Sequence, residues 1–378
     1  MELSEEQLLI KDMARKFAAD RLAPGAAERD RTASFPGDEL KEMGELGLLG
    51  MLTPEEWGGS DTGHVSFALA LEEIAAADGA VSTIASVHNG VGQRPIVEYG
   101  TTDQKERFVK PLAAGEMIGA FALTEPHAGS DAGNQRTRAV RDGNHFVLNG
   151  TKQFITSGRE AGIVIVFALT DPDKGSKGIS AFIVPTDTPG YDVTGIEKKL
   201  GQRSSDTAQI TFSDMRLTPD LLLGEEGQGY RIALANLEGG RIGIGAQATG
   251  MARAAYQSAL DYAKEREAFG KRIIDHQSVA FRLADMATQI EAARLMYLNA
   301  ARLRDAGEPC LKEASMAKLF ASEMAEKVCS DAIQTLGGYG YVEDFPVERI
   351  YRDVRVCQIY EGTSDIQKLV ISRAIEKE

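Results

Sequence analysis

"HFVLNGTKQFITSG", His145–Gly158, is the stretch on which the fold turns. It holds two short runs rich in β-branched and aromatic residues, separated by Asn149-Gly150, a pair that signals a type I′ hairpin turn. Asp142-Gly143, just ahead of it, signals a second turn. Runs of the same texture lie on both sides: "IGAFALTEP" from Ile118, "IVIVFALTD" from Ile163, "ISAFIVP" from Ile179 and "AQITFSD" from Ala208. The spacers between them are too short for crossover helices. The stretch therefore predicts an antiparallel sandwich or barrel of about 100 residues.

On either side the texture is helical. Towards the N-terminus, Ser4 and Gln7 fit a capping box, Leu3 can staple onto Leu8, and Leu9, Met13 and Phe17 recur on one helix face until Pro24 ends the helix. "DELKEMGELGLL", "HVSFALALEEIAAA" and "TDQKERFVKPLA" read as further helices, with Gly- and Pro-containing breaks between them. Beyond Gly224, Val279, Leu283, Met286, Ile290, Ala293, Tyr297 and Ala300 alternate steps of four and three, the seam of a helix in an antiparallel bundle. The expected architecture is α+β and multidomain. It comprises an all-α domain over 1–116, a central antiparallel β-barrel or sandwich over 117–222, and a C-terminal four-helix bundle over 223–378. "GIGAQATG" from Gly243 is glycine-rich, but its spacing is wrong for a dinucleotide fingerprint and it sits inside a helical pattern. Its small residues instead suit close helix contact.

Composition narrows the function. Acidic residues outnumber basic ones, 56 to 42, for a net charge of −14, which argues against nucleic acid or an anionic membrane as a surface-wide partner. No apolar run reaches the roughly 18 residues of a membrane span. The acidic opening from Met1 resembles neither a signal nor a transit peptide, so a prokaryotic cytoplasm, or a mitochondrial matrix after processing, is expected. Cys310, Cys329 and Cys357 have no CxxC partner and fit a reducing compartment. The five histidines form no metal-binding pair and no Gly-x-Ser-x-Gly elbow occurs, so neither a metal site nor hydrolase chemistry is expected.

"QIYEGTSDIQ", Gln358–Gln367, sets one glutamate between an apolar-aromatic pair and Gly-Thr. Two readings stand on these ten residues alone. Thr363 can cap a helix with Asp365 in its first turn, leaving Glu361 in an exposed loop, or Glu361 can be a base. "FALTEPHAGSDAG" from Phe121 leaves a strand for a loop whose backbone is free to bond a ligand, although a plain turn reads the same. "KQFITSG", "REAFGKRIIDHQ" from Arg266 and "QTLGGYGYVEDFPVERIYRD" from Gln334 follow in order.

Taken together, in this order and spacing, these motifs resemble the acyl-CoA dehydrogenase family from about Leu3 to Ile375, with the short-chain (butyryl-CoA) members nearest. The resemblance implies FAD bound between the β-domain and the bundle. Phe121, Leu123, Thr124 and Ser130 would lie along the flavin, and Phe154, Ile155 and Thr156 would cover its ring. Arg266, Phe269 and Gln277 would meet the pyrophosphate and adenosine, as would Gln334, Gly337 and Gly338 from a neighbouring subunit. Thr363 and Asp365 would close the site. Phe154 stands where many relatives carry Trp, and Asp365 where Glu or Gln is usual. Ser130, Glu238, Arg241 and Gly362 would contact the acyl-CoA, Glu238 standing for an Asp.

By the same resemblance Glu361 is the base that removes the α-proton of an acyl thioester, while a hydride leaves the β-carbon for the flavin. Burial between Ile359, Tyr360 and the flavin would raise its basicity, and its own N–H would bond the thioester carbonyl. The alternative base position falls on Gly240, which cannot serve. Electrons would pass to an electron-transferring flavoprotein, from a homotetramer built as a dimer of dimers. The expected substrate is a short straight acyl-CoA. The alternatives are a short branched (isobutyryl-type), medium-chain or aromatic substrate, an acyl-CoA oxidase, or a non-catalytic scaffold member.

Overall fold

A computed structural model describes residues 3–378; Met1 and Glu2, the first two residues of the acidic opening, lie outside the described residues. The chain begins in helix Glu5–Phe17, whose capping box forms as expected: Gln7 N–H donates to Ser4 Oγ and Ser4 N–H to Gln7 Oε1. The buried stripe of this helix is Ile10, Met13, Ala14 and Phe17, whereas Leu9 is exposed, because steps of three and four hold one face better than fours alone. Leu3 packs towards Val65 and Tyr297, while Leu8 stays exposed. Pro24 does not end the helical path. The chain loosens into a π-turn over Ala18–Leu22, takes Pro24 into the start of a 3-10 turn where no N–H is needed, and stays helical to Thr32.

The central sheet has eight strands: β1 Gly119–Ala122, β2 Arg138–Asp142, β3 His145–Thr156, β4 Ile163–Leu169, β5 Ile179–Pro185, β6 Tyr191–Ile196, β7 Thr207–Leu217 and β8 Leu222–Leu223. They run in the order β6-β7-β3-β2-β4-β5-β8, with β1 joined beside β4. Most pairings are antiparallel, but β4 takes two parallel neighbours, β1 along Ile163–Val166 and β2 at Leu169. β4 and β5 are buried on both faces, while β7 alternates buried and open positions over most of its length.

The expected hairpin at Asn149-Gly150 is absent: β3 runs through it as one 12-residue strand with a register shift against β7. Asn149 bonds reciprocally with Asp214 across the shift. Gly150, at φ 147°, lies against the residue that leads into β2: a Cβ there would come within 2.6 Å of Thr137 Cα. The glycine thus marks a bulge and a close backbone approach rather than a chain reversal. The turn at Asp142-Gly143 does form, Asp142 facing His145 with Gly143 at φ 56°.

The second half is built on helices Gly229–Glu265, Gln277–Asp305, Leu311–Leu336 and Ser364–Ile375. The seam read in the sequence is buried from Leu283 to Ala300, with Val279 at its rim. The first of these helices, about 55 Å long at 1.5 Å per residue, also packs against helix Gly63–Ala77 of the N-terminal part. Its glycines permit close approach: a Cβ on Gly250 would lie 2.2 Å from Glu72 O of that helix, and one on Gly243 2.7 Å from Ser86 Oγ of the next helix, Gly79–Val87.

Candidate active site

Glu361 sits in the short link between a 3-10 turn, Arg355–Gln358, and the last helix. Thr363 caps that helix, its Oγ1 accepting from Ile366 N–H, and Asp365 is exposed in the first turn. The bland reading of Thr363 and Asp365 therefore holds, but Glu361 is no exposed loop residue. Its φ is 52° and that of Gly362 is 92°, two successive left-handed residues, a conformation that costs free energy for a glutamate and recurs at functional sites.

The turn sends the carboxylate inward, against Gly240 of the long helix. A Cβ on Gly240 would lie 2.0 Å from Glu361 Oε2. The missing side chain at one candidate base position is thus the space that the carboxylate of the other fills. Although the residue as a whole is partly exposed, Oε2 is closed off from solvent and has no hydrogen-bond partner. Burial pushes the Glu361 carboxyl up to about 7, against the opposing pull of Lys318 and Arg241. Ile359, expected to help bury it, is 52% exposed in the single chain. The burial comes from the helix around Gly240 instead.

Arg241 is buried, and its Nε and Nη1 are also closed off without partners. Burial lowers its affinity for a proton, with Glu361 and Glu238 opposing. Two orphaned groups of opposite charge, near enough for each to act on the other's proton affinity, are what a polar ligand would satisfy. Glu238 makes no surface pair with Arg241. It accepts instead from Arg304 Nη1 at 3.2 Å and Cys310 Sγ at 3.3 Å. Glu238 and Arg241 line a cavity of about 570 Å³ with Tyr230, Leu234, Lys177 and Arg231. It provides an apolar wall and three cations, suited to a thioester with a phosphate-bearing tail.

Behind Glu361 a polar chain crosses the molecule. Tyr360 OH donates to Gln247 Oε1 at 2.6 Å, Gln247 Nε2 donates to Thr83 Oγ1, Ser82 Oγ and Gly79 O, Thr83 Oγ1 donates to Gln202 Oε1, and Gln202 Nε2 donates to Asp353 O. The link carrying Glu361 is thereby tied to the N-terminal helices, the β-domain and the bundle.

On the sheet side, Phe121 lies in β1, Leu123 and Thr124 just after it, and Ser130 in an exposed loop. The carbonyls of Leu123 and Thr124 already accept, from Lys152 Nζ and from Gln153 N–H. Sequence reasoning missed what fixes this loop. Glu125 and Lys152, both buried, pair at 2.9 Å, and Glu125 also accepts from the N–H groups of Arg136 and Thr137. Burial opposes ionisation of Glu125, but Lys152 and these donors prevail and keep it an anion. A strand-borne lysine facing inward beside "TEP" is the signal that was available. Phe154 is 62% exposed at φ 57°, on a register shift between Lys152 and Ile155, while Ile155 is buried. The bulge turns the ring out of the sheet, where it could shield a cofactor.

A second cleft, of about 610 Å³, brings Arg266 together with Thr335, Gly337, Gly338 and Tyr339 of the same chain. Gly337, at φ 64°, and Gly338 face open space where a Cβ would be, so a phosphate could approach the backbone. Gln334 and Gln277 are exposed nearby in chain order. Phe269 is 97% exposed at φ 54°, on a two-stranded hairpin tip projecting from the bundle. An anion cradle, an aromatic shield and an orphaned carboxylate fit the parts of FAD and its substrate. Among the described residues no three His, Cys, Asp or Glu groups gather as a metal site, and all three cysteines are free and buried.

Comparison with known proteins agrees. Three models of acyl-CoA dehydrogenase match in sequence: the N-terminal domain over 4–116, the middle domain over 120–215 and the C-terminal domain over 227–376. The chain is 45% identical over 373 residues to the short-chain specific acyl-CoA dehydrogenase of Clostridium acetobutylicum, covering 99% of this chain and 98% of that one. The solved butyryl-CoA dehydrogenase of Megasphaera elsdenii matches with a TM-score of 0.98 at 42% identity, over 100% and 99% of the two chains. A structure from a study of the electron-transferring flavoprotein of Acidaminococcus fermentans and flavin-based electron bifurcation matches at 0.99 and 45%, over the whole of both. Among the described residues no helix is long and apolar enough to cross a membrane. The chain belongs to the acyl-CoA dehydrogenase family of FAD-dependent oxidoreductases.

Proposed function

We propose that the protein dehydrogenates a short straight acyl-CoA, butyryl-CoA in the first instance, to the trans-2-enoyl-CoA, with Glu361 as the α-proton base. The observation that carries this reading is the Glu361 carboxylate, held inward against Gly240 with an unpartnered oxygen and a proton affinity raised to about 7. A carboxylate so placed is poised to take a proton near neutral pH. Arg241, its donors unpaired, stabilises the anionic form before the proton arrives and can bond the bound ligand. The Glu361 N–H, in the left-handed link, is the donor for the thioester carbonyl, and stabilising the charge that develops there lowers the barrier to proton loss. Bound FAD supplies the acceptor for the β-hydride. Phe121, the backbone groups of Leu123 and Thr124, Ser130, Phe154, Ile155 and Thr156 would hold its ring. Arg266, Phe269, Gln277, Gln334, Gly337, Gly338, Thr363 and Asp365 would hold the remainder.

The short-chain choice rests on the named relatives, as does an electron-transferring flavoprotein as acceptor. A tetramer accounts for the exposed Phe269 and the open Gly337–Gly338 cradle as surfaces offered to a neighbouring copy. Three free buried cysteines suit a reducing compartment such as a cytoplasm or matrix. The test is anaerobic: butyryl-, isobutyryl-, octanoyl- and phenylpropionyl-CoA are added separately to the flavin-loaded protein. Fastest bleaching of the flavin band by butyryl-CoA supports the reading. A band that none of them bleaches sinks the reaction, and fastest bleaching by another substrate replaces the substrate.

A further inference from the structure

The Glu361–Gly362 pair does not hold its shape by local preference. Two left-handed residues in succession, one of them a glutamate, persist only where surrounding groups over-determine them. The carbonyls of this pair show what does so. Gly362 O accepts from Lys318 Nζ at 2.7 Å and from Gln367 Nε2 at 2.9 Å, and the same Gln367 nitrogen reaches Glu361 O at 3.2 Å. Lys318 and Gln367 are both fully buried. Among the described residues, Gly362 O is the one hydrogen-bond acceptor of the Lys318 ammonium. A lysine buried with a single carbonyl partner is a costly arrangement for packing alone.

We propose that Lys318 and Gln367 are positioning residues: they clamp the Glu361 and Gly362 carbonyls, aim the Glu361 N–H and carboxylate into the cleft, and add a buried cation facing the base. Two elements supply the clamp. Lys318 comes from helix Leu311–Leu336 and Gln367 from the first turn and a half of helix Ser364–Ile375. Gly362 is held to glycine by the same contact, since a Cβ there would lie 2.8 Å from Gln367 Nε2. The titratable groups around Lys318 are Glu361, Arg241, Glu323 and Cys357, the last a neutral thiol that burial pushes up to about 12, and those around Glu361 are Lys318 and Arg241. Burial brings the Lys318 ammonium down to about 8, so it stays mainly charged at neutral pH and favours the Glu361 anion. The clamp therefore has two separable parts, geometry from both residues and charge from Lys318 alone.

The inference rests on Glu361 as the base. Its test uses flavin-loaded wild type, Lys318→Met and Gln367→Leu, with thermal melting and flavin content reporting fold. Both variants should lose about tenfold or more in kcat with a KM for butyryl-CoA changed by less than about threefold, as misorientation of a reacting group does. In Lys318→Met the acid limb of the kcat/KM profile should move to higher pH, because the cation favouring the carboxylate is gone. In Gln367→Leu it should stay in place. Independently of turnover, the carbonyl stretch of bound 13C-labelled crotonyl-CoA should move back towards its solution frequency in both variants, as the aimed N–H is lost. Folded variants with wild-type kcat and a wild-type carbonyl stretch would overturn the clamp. If Lys318→Met does not fold, Gln367→Leu decides the geometric part alone. Failure of the underlying reading looks different: a wild type inert to every acyl-CoA, or a Glu361→Gln variant that still turns over.

Discussion

Glu361 and Gly240 are one device in two residues. The carboxylate occupies the volume that a side chain on Gly240 would take. Gly240→Ala should lower kcat by about a hundredfold, since an ångström-scale displacement of a reacting group is enough. The roughly 1 kcal/mol that alanine adds within a helix should keep its melting temperature near that of the wild type. Steady-state kinetics beside a thermal melt would separate the two effects. Glu361→Gln should lose about 10²–10⁴-fold in activity, the usual worth of a positioned base, while retaining flavin. Its stability carries a sign of its own. Because burial raises the folded-state value above the ordinary carboxylate range, the stability associated with Glu361 is greatest below about 4.5 and is lost as pH rises through about 7. Above that, Glu361→Gln should be the more stable protein, by up to about 3 kcal/mol, as urea titrations at pH 6 and 8 would show. The sequence motif made Glu361 legible. It did not reveal the clamping lysine, because nothing local to a long helix says that Lys318 points inward, and the Glu125–Lys152 pair went unread although Lys152 shares its strand parity with Phe146 and Leu148.

At the scale of elements, β3 shows where pattern reading works and where it fails. Its β-branched and aromatic texture was legible, as was the Asp142-Gly143 turn. Asn149-Gly150 misled because the dipeptide that closes a hairpin also serves a bulge, and the choice depends on a distant neighbour, here Thr137 just ahead of β2, which lies against Gly150. Gly150→Ala should therefore destabilise the sheet by about 2–3 kcal/mol, through an unfavourable φ and a clash with backbone. A melt of that variant tests the bulge, since a tolerated alanine would mean that Thr137 does not come so close. Pro24 and Leu9 misled for local reasons: the helical path takes the proline at the start of a 3-10 turn, where no N–H is needed, and spacing by fours alone drifts Leu9 off the buried stripe. The bundle seam from Leu283 to Ala300 was readable because an amphipathic helix records its burial in its own spacing.

Across the whole molecule, Asp353 joins the parts. Its carboxylate accepts from Gln202 N–H of the β-domain, and it stands in the bundle half near Asp30 and Asp78 of the N-terminal helices. Burial pushes it up to about 7, against the Gln202 N–H and with those two acids adding to the rise. As for Glu361, the associated stability is lost as pH climbs through that value, so the melting temperature of the wild type should fall between pH 6.5 and 8. Asp353→Asn should flatten that fall, and an unchanged slope would place the pH sensitivity elsewhere. The order helices, sheet, helices was legible because each part has its own period. The polar chain from Tyr360 through Gln247, Thr83 and Gln202 to Asp353 was not, since its members lie far apart in sequence and meet only when all three parts are docked.

The central claim is that Glu361 takes the α-proton, and isotope exchange tests it most directly. Butyryl-CoA incubated in D2O with the flavin-loaded protein should gain deuterium at its α-carbon, followed by mass spectrometry, and Glu361→Gln should abolish the exchange while still binding the thioester. Exchange at the wild-type rate in Glu361→Gln would contradict the account and assign the proton to another group.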